Sequence, residues 1–222
     1  MITGYSEMMR DIPGENTPEN ADVIIAESKR LTTLVNDVLN LSKYKTGALE
    51  LGIFSVTSMI REIIGRYAKF TEQNGYRIEF SPAGELFAEG DEIQLQQVLY
   101  NLVNNAINYT GEDKTVQVVQ KREDAFVKIE VIDSGAGITE DDLPHIFERY
   151  YRSSSPHKRA TVGTGIGLSI VKTILESHGA PYGVITSVGQ GSVFWFKLPL
   201  REAEDAAQST AKPHRAHGGA KK

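Results

Sequence analysis

The sequence predicts an α+β chain: a helical hairpin followed by a mixed sheet with helices on one face. Three observations carry that reading. An apolar stripe at helical spacing runs over residues 19–44. From residue 55 onward, short alternating segments and helical segments are interspersed. The strand pairs among them are joined by tight turns rather than by crossover helices.

The stripe comes from Ile24, Leu31 and Val38 at intervals of seven, with Leu34 and Leu41 interleaved. Ile25, Val35 and Leu39 widen it beyond a two-stranded seam, and Glu27 interrupts it. Thr17 followed by Pro18 reads as an N-cap and first helical residue, and Gly47 as a stop. A shorter helical pattern (Ile2, Tyr5, Met8, Met9, Ile12) precedes it across the turn PGEN. Neither helix can bury so wide a stripe against the other alone. A homodimeric four-helix bundle through residues 1–50 is therefore expected, with a two-helix lid packed on the rest of the chain as the alternative.

Helical spacing returns at 56–73, then a short strand, YRIEF, and another near Leu86–Ala88. A helix is expected over 91–108, then the strands TVQVVQKR and AFVKIEVID around a turn at Glu123–Asp124. Residues 134–164 read as an irregular loop with one helical turn, ahead of a helix at 166–178. A terminal hairpin, GVITSV and SVFWFKLP, turns at Gly189–Gln190–Gly191. The domain reading is 1–50, 51–200 and a disordered tail over 201–222. In that tail the only apolar side chains are alanines, too little surface to offset ordering entropy. His214 and His217 have metal-capable spacing, but in such a tail their placement reads as incidental.

The bulk numbers narrow the function classes. The 222 residues are 40% hydrophobic with a net charge of −5, which disfavours nucleic acid and anionic membranes as partners. There is no cysteine, hence no disulfide, thiolate metal site or thiol nucleophile. No apolar run approaches the roughly 20 residues of a membrane span, and MITGYSEMMRDI lacks the pattern of a signal peptide. A cytoplasmic location is the expectation.

Four clusters could carry chemistry. In NLVNNAINYT, the amides of Asn101, Asn105 and Asn108 share one helical face. Asparagine is a mediocre helix former and costly to bury unpaired. Neutral amide oxygens suit Mg²⁺, which takes one or two protein oxygens beside nucleotide phosphates. In VIDSGAGIT, Asp133 ends a strand before Gly135 and Gly137, where a carboxylate can accept from an amino group on a flat ligand. In HIFERYYRSSSP, aromatics alternate with Arg149 and Arg152, and an arginine there could reach a phosphate. In TVGTGIGLSIVK, the glycines precede a helix whose N-terminal N–H groups make an anion site. The spacing fits neither a P-loop nor a dinucleotide fingerprint. It reads as a lid with a glycine hinge and phosphate cradle.

In order and spacing these clusters resemble the N box, first glycine box, F box and second glycine box of the histidine-kinase catalytic and ATP-binding domain. HGAPYGVITSVGQGSVFWFKLP is similar to that family's closing hairpin, and LTTLVNDVLNLSKYKTG to the second helix of its dimerisation and phosphotransfer domain. The resemblance implies a Bergerat-type ATP-binding fold with ATP and Mg²⁺ as ligands. It implies that Asn105 ligates Mg²⁺, Asn101 helps order the metal and its water, and Tyr109 lies along the adenine. Asp133 would accept from the exocyclic amine and Arg152 approach the terminal phosphate. Gly163, Gly165 and Gly167 would cradle the triphosphate, with further contacts from Asn108, Gly135, Gly137, Ile138, Tyr151, Thr164, Ile166, Leu168 and Ser192. Asn108 stands where many members carry lysine, and Tyr150 where phenylalanine is usual. The superfamily's hydrolytic branches have a glutamate at the Asn101 position. An amide cannot take a proton from water, so transfer to a protein acceptor is favoured over hydrolysis.

The family transfers the γ-phosphoryl group to a histidine on the first helix, and thence to a response regulator receiver domain. The five histidines here are His145, His157, His178, His214 and His217, none in that context. His178, before Gly179, is accounted for by the helix-end dipole and cap. The expectation is a kinase lacking its phosphoacceptor box, which binds Mg·ATP without phosphorylating itself. Any sensor or membrane helices of a parent protein would lie upstream. The alternatives are a nucleotide-dependent interaction module and a superfamily ATPase.

Overall fold

The computed structural model describes residues 1–46, 48–151 and 165–204. Helices α1 (Ile2–Asp11) and α2 (Pro18–Thr46) form the hairpin. Thr17 caps α2 by accepting the Asn20 N–H at 3.2 Å. The remaining elements are β1 (Gly52–Ser55), α3 (Val56–Arg66), α4 (Ala68–Asn74), β2 (Arg77–Ser81), β3 (Phe87–Gly90) and α5 (Glu92–Tyr109). They continue with β4 (Thr115–Glu123), β5 (Phe126–Asp133), α6 (Gly167–Ser177), β6 (Tyr182–Thr186) and β7 (Ser192–Arg201).

The seven strands form one mixed sheet in the order β1-β3-β7-β5-β4-β2, with β6 also on β7. Only β2 and β4 run parallel; the other pairs are antiparallel. Side chains alternate across it. Val116, Val118, Val127, Ile129, Val131, Phe194, Phe196 and Leu198 are buried on the helix side. The opposite face carries Lys121, Lys128, Glu130, Trp195 and Lys197. There Glu130 is held by Lys121 at 2.6 Å and Lys128 at 2.8 Å. Burial pushes its carboxyl up, but the two lysines outweigh that and leave it below its ordinary value.

Helix α5 is the spine of the core. Its cap Asp91 accepts the Gln94 N–H at 3.1 Å, and Leu95, Val98, Leu99, Leu102, Val103, Ala106 and Ile107 are buried. Each of the leucine, valine and isoleucine side chains contributes roughly 1.5–3 kcal/mol by burial, so this face sets where the asparagines of the other edge stand. The helical pattern at 56–73 is two helices rather than one. The chain turns at Tyr67, whose ring stacks on Tyr100 and whose hydroxyl donates to Asn104 Oδ1 at 3.0 Å. β1 is a four-residue edge strand that periodicity does not reveal. β7 runs to Arg201, which pairs with Phe87 and forms an ion pair with Glu89.

The wide stripe of α2 divides. Leu34 packs against the main core, where α2 lies on α6, and Val23, Ile24, Glu27 and Arg30 are half-buried. Ile25, Leu31, Val35 and Leu39 stay 50%, 54%, 50% and 63% exposed. One arc of the helix is thus covered within the chain, and a second apolar arc is left bare. Among the described residues no helix is long and apolar enough to cross a membrane.

Candidate functional site

Of the residues singled out from the sequence, those described lie mainly along α5, at the end of β5 with the loop after it, and at the start of α6. Asn101, Asn105 and Asn108 follow one edge of α5, all half-buried, and Tyr109 ends the helix with its ring 40% exposed. Asp133 ends β5 and is 4% exposed. Its Oδ1 accepts the Gly135 N–H at 2.9 Å. Burial pushes its carboxyl up, opposed by backbone N–H groups of Gly135 and Ser192. A carboxylate held this way is short of donors, which is what an amino group brings.

The strand end is clipped to the helix end. The Ser134 hydroxyl bonds Asp113, lies 3.0 Å from Thr110 Oγ1, and accepts the Gly111 N–H at 3.2 Å. The loop beyond is pinned to the β6–β7 hairpin: the Ile138 N–H donates to Thr186 Oγ1 at 3.0 Å, and the Gly189 N–H to the Ala136 carbonyl at 2.7 Å. The Ser192 hydroxyl lies 3.1 Å from the same Thr186 hydroxyl, so it belongs to this clamp.

Several glycines are explained by the protein's own backbone. A Cβ on Gly135 would stand 2.0 Å from the Tyr109 carbonyl oxygen, and one on Gly137 2.0 Å from that of Ser187. On Gly191 it would stand 2.0 Å from the Asp133 carbonyl oxygen. At these positions chain approaches chain. Gly167 differs: its Cβ would have Asn101 Oδ1 at 3.8 Å, an ordinary contact, and nothing nearer.

Gly167 opens α6 directly over Asn101, and α6 has no side-chain N-cap. Among the described residues, the Gly167 and Leu168 N–H groups and the positive end of the helix dipole therefore have no side-chain acceptor. Asn101 Nδ2 is buried and, among the described residues, has no hydrogen-bond partner. The Gly167 and Leu168 N–H groups at this helix start suit an anion. Leu168 and Ile166 anchor this turn, Ile166 being 1% exposed.

The F-box aromatics divide by role. Phe147 sits edge-on to Tyr182 and Phe194 at centroid distances of 5.3 and 6.5 Å, which roots the loop in the core. Tyr151 donates to Asp142 at 2.5 Å, and Tyr150 is exposed. The Tyr150 N–H donates to the Gly165 carbonyl at 2.8 Å, which joins the F-box end to the residue two before α6. Arg152, Gly163 and Thr164 lie outside the described residues.

Two side chains join the site that sequence reasoning missed. Gln97, one turn before Asn101, donates from Nε2 to Asn101 Oδ1 at 3.3 Å. His178 does more than end a helix. Its Nε2 accepts the Asp91 N–H at 3.0 Å and its Nδ1 donates to the Ile174 carbonyl at 2.8 Å, so the proton sits on Nδ1. It ties the end of α6 to the cap of α5, the two helices that make the site. The only sequence hint was a histidine four residues past an apolar helical position.

Comparisons with known proteins agree with this geometry. The family of histidine kinase-, DNA gyrase B- and HSP90-like ATPases matches residues 90–202, and the His Kinase A (phospho-acceptor) domain matches 1–47. The sensor protein SrrB of Staphylococcus aureus is 28% identical over 207 residues, which is 91% of this chain and 36% of that protein. The chain thus spans about a third of the length of the curated relatives it matches. The catalytic domain of histidine kinase ThkA, nucleotide-free, is 31% identical with a TM-score of 0.60, over 68% of this chain and 95% of that one. ThkA in complex with the response regulator protein TrrA is 28% identical with a TM-score of 0.72, over 90% and 57%. Full-length ShkA in complex with AMPPNP is 30% identical with a TM-score of 0.68, over 91% and 43%.

Proposed function

Because the chain belongs to the histidine kinase-, DNA gyrase B- and HSP90-like ATPases, with a phospho-acceptor-type helical segment ahead of the ATPase domain, we propose that it is the kinase core of a sensor histidine kinase. Residues 51–200 bind Mg·ATP and present its γ-phosphoryl group to a histidine, from which it passes to a response regulator. The observation that carries this is the start of α6 at Gly167, which among the described residues has no side-chain cap and stands open over the Asn101 amide. ShkA, which is similar to this chain over 43% of its own length, was solved with AMPPNP, and ThkA with the response regulator protein TrrA.

The residues divide the work by chemistry. Asp133, buried and short of donors, accepts from the adenine amino group, while the exposed ring of Tyr109 lies beside it. The N–H groups of Gly167 and Leu168 receive phosphate oxygens, with Gly163, Thr164, Gly165 and Ile166 completing the cradle and Ile138, Tyr151 and Ser192 shaping its walls. Asn105 offers a neutral oxygen to Mg²⁺, and Asn108 extends that polar edge. Mg²⁺ supplies charge neutralisation on the phosphates. Arg152 approaches the terminal phosphate as a bidentate donor. In the transfer the histidine ring nitrogen bonds to the γ-phosphorus, the bond to the β,γ-bridging oxygen breaks, and ADP leaves. Asn101 cannot deprotonate water, which keeps hydrolysis slow. Dimerisation uses the bare arc of α2, and the core works in the cytoplasm.

No histidine lies in residues 1–47, so the acceptor must be supplied. Incubated with γ-labelled ATP and Mg²⁺, these 222 residues alone take up no acid-labile phosphate. Adding a separate phosphoacceptor helix pair produces label on that partner. Nucleotide binding without any transfer to it would instead support an interaction module in which ATP governs docking, a reading favoured by the packing of α2 on α6.

A further inference from the structure

The paired part of β5 stops at Asp133, whose partners are Val116 on β4 and Ser192 on β7. The next residue, Ser134, fixes where the end of the strand goes. Its hydroxyl donates to Asp113 Oδ1 and accepts the Gly111 N–H at 3.2 Å. The Thr110 hydroxyl, 3.0 Å from it, donates to the Thr115 carbonyl at 2.8 Å. Asp113 Oδ1 also accepts the Thr115 N–H at 3.4 Å. One hydroxyl thus ties the end of β5 to the turn that leaves α5 and enters β4. Its bond to Asp113 is charge-assisted and is the chief cause of that carboxyl lying below its ordinary range.

The same two segments touch through backbone. A Cβ on Gly111 would stand 2.9 Å from the Ser134 carbonyl oxygen, and one on Gly135 2.0 Å from that of Tyr109. Glycines permit that approach but give it no direction; a hydrogen bond does. We infer that Ser134 is a positioning residue for base recognition: with Asp113 it holds the Asp133 carboxylate in register with the Tyr109 ring, so that one flat ligand meets both. The inference rests on the Mg·ATP reading above and adds what sets the contact to the amino group. The start of α6 takes no part in this clip. Loosening it therefore weakens recognition of the base and spares the contacts to phosphate.

The test is calorimetric titration, with Mg²⁺, of ATP and of purine riboside triphosphate, which is ATP without its exocyclic amino group. The proteins are the wild-type chain, Ser134→Ala, Ser134→Thr and Asp113→Ala. Ser134 and Asp113 are both exposed, so neither alanine opens a cavity. The wild type should prefer ATP by about tenfold or more. Ser134→Ala and Asp113→Ala should each cut that preference by about three- to tenfold, through weaker ATP binding alone. Ser134→Thr keeps the hydroxyl and should keep the preference. The double alanine variant should cut it no further than Ser134→Ala, because both remove one bond. An unchanged preference in Ser134→Ala would overturn the proposal. So would an equal loss for the two ligands, which would make Ser134 a contact of the fold and no more. A wild type that binds both ligands alike would remove the Asp133 contact and the proposal with it. Binding of neither would bring down the Mg·ATP reading itself, an outcome distinct from the other three.

Discussion

Replacing Gly167 by alanine should separate folding from function. A Cβ there meets Asn101 Oδ1 at 3.8 Å and its Cγ at 3.9 Å, both ordinary contacts, in helical backbone without a positive φ. Alanine in place of glycine in a helix stabilises by about 0.5–1 kcal/mol, because the unfolded chain loses freedom. For a chain of this size that raises Tm by about 1–4 °C. The same methyl group stands where the phosphates approach the backbone, so Mg·AMP-PNP affinity should fall at least about tenfold, or 1.4 kcal/mol. Gly135→Ala is the contrast. Its Cβ would lie 2.0 Å from the Tyr109 carbonyl oxygen, so backbone must move and Tm should drop sharply. Thermal unfolding and calorimetric titration of both variants decide the matter. If Gly167→Ala melts several degrees lower, or binds nucleotide like the wild type, the distinction between glycines that serve the ligand and glycines that serve the fold is wrong.

Asp133→Asn should be at least as stable as the wild type at neutral pH while losing nucleotide affinity. Burial raises this carboxyl in the folded state, so the wild type loses stability as pH rises from the ordinary carboxyl range through the raised value. The Tm gap between the two proteins should therefore close as the pH is lowered into the ordinary carboxyl range, and a gap that widens on acidification would show the sign to be wrong. His178→Ala strands the buried Asp91 N–H, which should cost about 1–3 kcal/mol in chemical denaturation, with partial recovery in His178→Gln. Val35→Glu with Leu39→Glu puts charge on the bare arc of α2. The pair should weaken a dimer by more than about a hundredfold in light scattering and leave monomer nucleotide affinity intact.

Much of this was legible because local chemistry and tertiary packing agree. Thr17–Pro18 announces α2, and the apolar helical pattern over 91–108 announces α5. Asp124, at φ 49°, turns the β4–β5 hairpin where an aspartate tolerates the left-handed region. The break at Tyr67 was not legible, since it comes from a stack with Tyr100 and a bond to Asn104 across 37 residues. β1 was hidden because a four-residue edge strand has too few positions to show a period. The site residues stood out by type and spacing, but their environments did not. Gln97 looks like any glutamine on a solvated helix edge. No spacing rule tells Gly135, pressed against a carbonyl, from Gly167, which is open.

The most direct measurement is the equilibrium titration of Mg·AMP-PNP into the 222-residue chain. One saturable site per chain is predicted, displaced by ADP and abolished by Asp133→Ala in a protein that still melts cooperatively. No heat of binding, or a site that survives Asp133→Ala unchanged, would contradict the account.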